Sequence, residues 1–275
     1  MKRIYLSLVF LVAVSLHYGL TGAAAAVAAP FFFSTGNPDG RMATGSRPAS
    51  AGQTAIESAD DFVLTLPSSI TGASFAGLLT GGATPSSIGE VIVKIYRVFP
   101  NDSTNPASGN VPTRVNSPSD VLFGSRDSTS GTLHFTASIV TPGFTAANSV
   151  LNGISKLPNQ ITTSGEGPVS GVEVLFNVTF NSPFFLPADH YFFVPQVQVT
   201  GGEFFWLSAP KPIAAPGTPF TPDLQSWIRN ANLSPDWIRI GTDIVGGVPA
   251  PTFNAAFSLS GDSLFKLWLP VILRP

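Results

Sequence analysis

An all-β fold, an antiparallel β-sandwich of jelly-roll-like form, is what this sequence predicts, and three features predict it. Apolar and polar residues alternate with a period of two in several separate runs, helical periodicity is nearly absent, and turn residues punctuate the whole chain. With 26 Gly and 25 Pro among 275 residues and only 11% charged side chains, solvation falls to Ser, Thr, Asn and Gln, and elements stay short. Short strands between turns argue for a sandwich or barrel rather than a βαβ fold.

Taken in chain order, the first element is an export signal. Lys2 and Arg3 precede an apolar run from Ile4 to Leu16, and a small-residue exit follows from Ala23 to Ala29. Ala26-Val27-Ala28 fits an A-x-A cleavage site, so residues 1–28 are expected to be removed and the mature chain to begin at Ala29. A retained membrane anchor is the alternative, but His17, Tyr18 and Gly19 end the run short of the ~20 residues that a span requires. No transmembrane segment is expected after cleavage. Residues 29–55 read as an N-terminal extended segment, 56–261 as the sandwich, and 262–275 as a short apolar C-terminal tail.

The clearest strand is 172–180, where Val172, Val174, Phe176, Val178 and Phe180 alternate with mostly polar neighbours. Residues 253–260 repeat the pattern, with Phe253, Ala255, Phe257 and Leu259 directed inward, and 133–139 does so with Leu133, Phe135, Ala137 and Ile139. Denser apolar runs at 91–99, 191–199 and 204–207 read as central strands. Residues 61–66 and 73–79 are expected to pair across Pro67-Ser68-Ser69. Long loops are expected at 100–118, 141–170 and 209–235, with a helical turn near 146–154 and a short helix from Asp223 to Arg229.

Charge and cysteine content exclude several functions. Loss of Lys2 and Arg3 with the signal leaves 12 basic against 16 acidic residues, a net charge near −4 and no footprint for nucleic acid or an anionic membrane. The chain has no cysteine, which removes disulfides, thiol catalysis and Cys-based zinc sites. A chain of this size can bury a sufficient core without covalent staples.

Ala59-Asp60-Asp61-Phe62 stands before a strand, Ile70-Thr71-Gly72-Ala73-Ser74-Phe75-Ala76-Gly77 follows, and Phe253-Asn254-Ala255-Ala256-Phe257-Ser258-Leu259-Ser260-Gly261 comes late. Together these resemble a broad group of uncharacterised secreted bacterial proteins with a jelly-roll-like sandwich, over residues 56–261. Many members of that group carry a C-terminal sorting tail with a Pro-Glu-Pro signal, an apolar helix and a basic end. This sequence ends Leu269-Pro270-Val271-Ile272-Leu273-Arg274-Pro275, which lacks that signal. The resemblance implies a fold and export, and no reaction.

Chemistry has few candidates. His134 and His190 read as surface histidines, with Asp189-His190 as the alternative acid/base or metal pair. No G-x-S-x-G, H-E-x-x-H, Walker loop or G-x-G-x-x-G occurs. A glycosidase needs only two carboxylates, for which Glu90, Glu166, Glu173 and Glu203 are available and no spacing selects a pair. Asp60 and Asp61, adjacent in a strand, face opposite sides. Either they cap a turn or pair with an arginine such as Arg97, or one of them binds a structural Ca²⁺ with a distant acid such as Asp243. Apart from such a Ca²⁺, no cofactor is implied. Trp206, Trp227 and Trp237 cluster late, and exposed indole rings beside polar residues would form a platform for sugar rings.

These features predict an exported, non-catalytic, extracellular or cell-surface binding module whose partner is a polysaccharide or another cell-surface component. A structural surface or matrix protein without a small ligand is the second reading, and a glycoside hydrolase the third.

Overall fold

A computed structural model describes residues 25–50, 52–154 and 162–267. The signal segment through residue 24 and Trp268 lie outside them. In chain order the strands are β1 (Ala25–Ser34), β2 (Ala43–Gly45), β3 (Ile56–Leu64), β4 (Ser68–Leu79), β5 (Ile88–Val98), β6 (Pro118–Asp127), β7 (Leu133–Ala146) and β8 (Ser149–Val150). They continue with β9 (Val169–Leu186), β10 (Asp189–Val199), β11 (Phe204–Ala209), β12 (Trp227–Asn230), β13 (Ile238–Arg239), β14 (Asn254–Ala255) and β15 (Phe257–Leu267). The described helical segments are one 3₁₀ turn, Pro85–Ser87, and one π turn, Ile240–Val245.

Two sheets, both rich in antiparallel pairs, make an all-β sandwich. In the nine-stranded first sheet the order is β1-β15-β4-β11-β2-β8, with β14 on β11, β9 on the other side of β4, and β7 beyond β9. The second sheet runs β13-β12-β3-β10-β5-β6. Residues Ala28–Phe265 form one compact unit that includes β2 and most of β1, so the N-terminal extended segment 29–55 contributes strands to the first sheet.

Alternation decides which side chains meet between the sheets. Phe75 of β4, Phe176 of β9 and Phe257 of β15 face Phe62 of β3 and Tyr191 and Phe193 of β10 in one buried cluster. Within it Phe75 stacks on Phe176 at 4.6 Å and Phe193 on Phe257 at 5.0 Å, with interplanar angles of 8° and 6°. All four inward residues expected at 253–260 are buried. On β7, Leu133 is buried but Ile139 is 53% exposed. β7 is the edge strand beyond β9, so Ile139 stays open on its free side although its ladder partner Val174 is buried.

The outer faces of the two sheets differ. In the second sheet β10 is apolar on both sides: Tyr191 and Phe193 face the main core, while Phe192 and Val194 meet Ala59 and Tyr96 of the same sheet, Trp227 of β12, and Trp237 of the loop that follows β12. The outer face of β7, β9, β4 and β15 instead presents small polar side chains.

Three local expectations are corrected. Residues 61–66 and 73–79 do not pair: β3 bonds to β10 and β12, β4 bonds to β9, β11 and β15, and the turn at Thr65-Leu66-Pro67 crosses from one sheet to the other. The crossing lets Phe62 and Leu64 meet Ile70 and Phe75 in one core. The helix expected over 223–229 is replaced by β12, because Trp227 and Ile228 fill different clusters on opposite sides of a ladder with β3. At 146–154 the chain forms the end of β7 and then β8, which pairs in parallel with β2.

Candidate functional site

Asp60 and Asp61 lie inside β3, so neither caps its start, and both are buried. Arg97 pairs instead with Asp102 and Asp189. Asp60 points to the main-core side, where Oδ2 accepts the Ala255 N–H at 2.8 Å and Oδ1 lies 3.0 Å from Ser226 Oγ. Asp61 faces the loops. Its Oδ2 stands 2.6 Å from His190 Nε2 and accepts the Leu224 N–H at 3.1 Å, while Oδ1 is buried without a hydrogen-bond partner. Burial holds both carboxyls well above the ordinary aspartate range, with the adjacent Asp61 adding to Asp60. Burial also pulls His190 down to about 4. The 2.6 Å contact between Asp61 Oδ2 and His190 Nε2 requires one hydrogen between the two atoms, and burial disfavours the charged form of each group. The sequence paired His190 with Asp189, but across the ladder it is Asp61 that meets the ring.

Asp60, Asp61 and Asp243, the residues expected to contribute to a Ca²⁺ site, do not form a three-carboxylate group placed to hold a metal ion. Among the described residues no group of three or more His, Asp or Glu side chains is placed to hold a metal ion. Asp243 is taken up by Arg239, accepting its backbone N–H at 2.8 Å and its guanidinium at 2.6 Å. The expected carboxylates are likewise engaged in local structure. Glu166 accepts the N–H groups of Leu151, Asn152 and Gly153, Glu203 binds Arg47 and Gln53, and Glu173 is buried.

The tryptophan platform is also corrected. Trp206, Trp227 and Trp237 are only 1%, 2% and 0% exposed. Trp206 sits in the main core and donates to the Ala256 carbonyl at 3.0 Å, while Trp227 and Trp237 seal the loops against the second sheet. Large aromatic rings do this because each removes roughly 150–250 Å² from water. Beside Trp227, two clefts of about 380 and 410 Å³ meet at Lys211, Asp223 and Thr252. Lys211 Nζ is already committed there to the Asp223 carboxylate at 2.6 Å, the Asp223 and Leu224 carbonyls at 3.0 and 2.7 Å, and Asn254 Oδ1 at 3.0 Å. Its three hydrogens are spent on the fold.

The open outer face of the first sheet has unspent polar groups. Cross-strand register places Thr136, Asn177, Ser74 and Ser258 side by side on β7, β9, β4 and β15. The next row is His134, Thr179, Gly72 and Ser260. Thr136, His134, Asn177, Thr179 and Ser260 are exposed, and Ser74 and Ser258 half-exposed with their hydroxyls 2.7 Å apart. None of these eight positions is Lys, Arg, Asp or Glu. Bordering them is a depression of about 360 Å³, whose lining includes Ser34, Asn37, Ser74, Leu175 and Ser258. Phe32 stands on its rim, 62% exposed. Strand alternation sets this up: Phe31 and Phe33 pack on the core, so Phe32 faces out.

Sequence reading passed over this face by treating the polar halves of the alternating strands as ordinary solvated surface. A signal was present. Those halves are Ser, Thr and Asn, where solvated sheet faces usually carry Lys and Glu as well. Comparison with protein-family models, curated proteins and solved structures returned no match.

Proposed function

We propose that this chain is an exported, non-catalytic binding module that acts outside the cell or at its surface, and that its ligand is a polysaccharide held on the outer face of the first sheet. The observation that supports this reading is the registered array of uncharged hydroxyl and amide side chains beside an exposed phenyl ring. Each hydroxyl offers one donor and two acceptors, and each amide offers both kinds of group, which suits a ligand covered in hydroxyls. An aromatic rim and convergent polar groups give such a ligand both area and orientation. The signal-like N-terminus and the resemblance to secreted sandwich proteins agree with export. The buried tryptophans have no part in the reading.

Depletion of the purified protein from solution by insoluble and soluble polysaccharides tests it. Asn177→Lys and Thr136→Lys place charge on exposed positions of the array and are expected to lower binding at least tenfold while unfolding temperature stays within a few degrees. Binding to no polysaccharide of the panel, or binding indifferent to both substitutions, would overturn it.

A further inference from the structure

The array on the outer face has a direction. Thr136, Asn177, Ser74 and Ser258 are successive cross-strand partners, so their line runs perpendicular to the strands. Beyond β15 lies β1 with the exposed Phe32. Adjacent strands are about 4.8 Å apart, so the path from β7 to β1 crosses five strands and about 19 Å. An extended chain of equatorially linked hexose rings advances by about one such spacing, ~5 Å, per ring. A coiled chain does not keep step with the strands.

Charge narrows the ligand further. With no Lys or Arg at these positions and His134 off the line of Thr136, Asn177, Ser74 and Ser258, that line offers no cation to offset the cost of desolvating a carboxylate or sulfate, whereas a neutral hydroxyl exchanges water for Ser, Thr or Asn at little cost. The surface is also kept low in the second row, at Gly72 of β4. A Cβ at Gly72 would come within 2.9 Å of Ser260 Oγ and 3.2 Å of the Val178 carbonyl, so glycine lets β4 and β15 side chains close up there.

We infer, on the reading above that the outer face binds a polysaccharide, that the ligand is a neutral, extended, equatorially linked hexose chain lying across the strands along Thr136, Asn177, Ser74 and Ser258, one ring per strand, with a terminal ring stacked on Phe32 over the depression. Each strand then contributes one subsite. The number of rings that add affinity is fixed by the number of strands crossed.

Calorimetric titration of the purified protein with cello-oligosaccharides of two to six rings tests this, with coiled malto-oligosaccharides and charged oligogalacturonates as comparison series. Affinity is expected to rise with each ring to about five and then level off, with the comparison series much weaker. Phe32→Ala, at an exposed position, is expected to weaken the longest cello-oligosaccharides by up to about tenfold and to shorten the length at which affinity levels off. Equal affinity from two rings onward, or equal binding of the coiled or charged series, would overturn the inference while leaving a polysaccharide-binding module. Failure of every polysaccharide in the wider panel would overturn that parent reading as well.

Discussion

Replacing Asp60 by asparagine is expected to cost about 1 kcal/mol, and replacing it by alanine about 2–4 kcal/mol. Ser226 Oγ has a single hydrogen yet lies 3.0 Å from Asp60 Oδ1 and 2.9 Å from the Phe253 carbonyl. Both contacts are satisfied at once if Asp60 is neutral: its hydroxyl donates to Ser226, Ser226 donates to Phe253, and the other carboxyl oxygen accepts the Ala255 N–H. Asparagine reproduces that chain and leaves one amide hydrogen over, a penalty at the low end of about 1–3 kcal/mol. Alanine strands the Ala255 N–H and leaves a small void as well. Because the folded carboxyl titrates well above the unfolded one, its contribution is complete below the unfolded value of 3.8 and is lost as pH rises through the folded value. Urea unfolding followed by tryptophan fluorescence at about pH 5, 7 and 9 reads both effects, at up to ~1.4 kcal/mol per pH unit per group. The asparagine variant should lose less stability than the parent as pH rises across this range. An asparagine cost above about 3 kcal/mol at about pH 5, or a steeper loss with rising pH in the variant, would refute a neutral Asp60.

Other perturbations probe other layers. Phe193→Ala removes a fully buried ring that touches Phe257, Phe75 and Trp206 and should cost about 4–5 kcal/mol in chemical denaturation. Arg114→Met leaves Asp120 and Asp236 without the buried guanidinium at 3.6 and 3.5 Å, for a loss of about 3–5 kcal/mol. Adding Asp236→Asn should recover part of that loss, and additive losses in the double variant would argue against a coupled pair. In acid the sign reverses. Burial alone would raise Glu57, but Arg229 and Lys94 outweigh it and hold the carboxyl low. Its contribution is therefore present above its unfolded value of 4.5 and lost as pH falls through the lowered value, so Glu57→Gln should flatten the acid arm of the stability curve.

The sandwich was legible because alternation is a local property. Val174, Phe176, Val178 and Phe180 announced a one-sided strand, and Phe192 to Val194 announced a strand buried on both faces. What stayed hidden depends on pairing between distant residues. The partner of β3 is not its neighbour β4 but β10, more than 120 residues away, and with it comes the contact between Asp61 and His190. The tryptophans misled for a related reason: sequence shows that a large ring must be covered or used, not which. Here Trp227 on β12 and Trp237 in the loop after it close the apolar cluster on the outer side of the second sheet. The candidate face was written in Thr136, Asn177, Ser74 and Ser258, yet those residues lie on four strands whose lateral order no local pattern reveals.

Amide chemical-shift mapping of the labelled protein during titration with cellohexaose tests the central claim most directly. The largest shifts are expected at Phe32, Ser74, Thr136, Asn177 and Ser258, in a band across β1, β15, β4, β9 and β7. Shifts concentrated instead around Lys211, Asp223 and Thr252, or no saturable shift on the outer face, would contradict it.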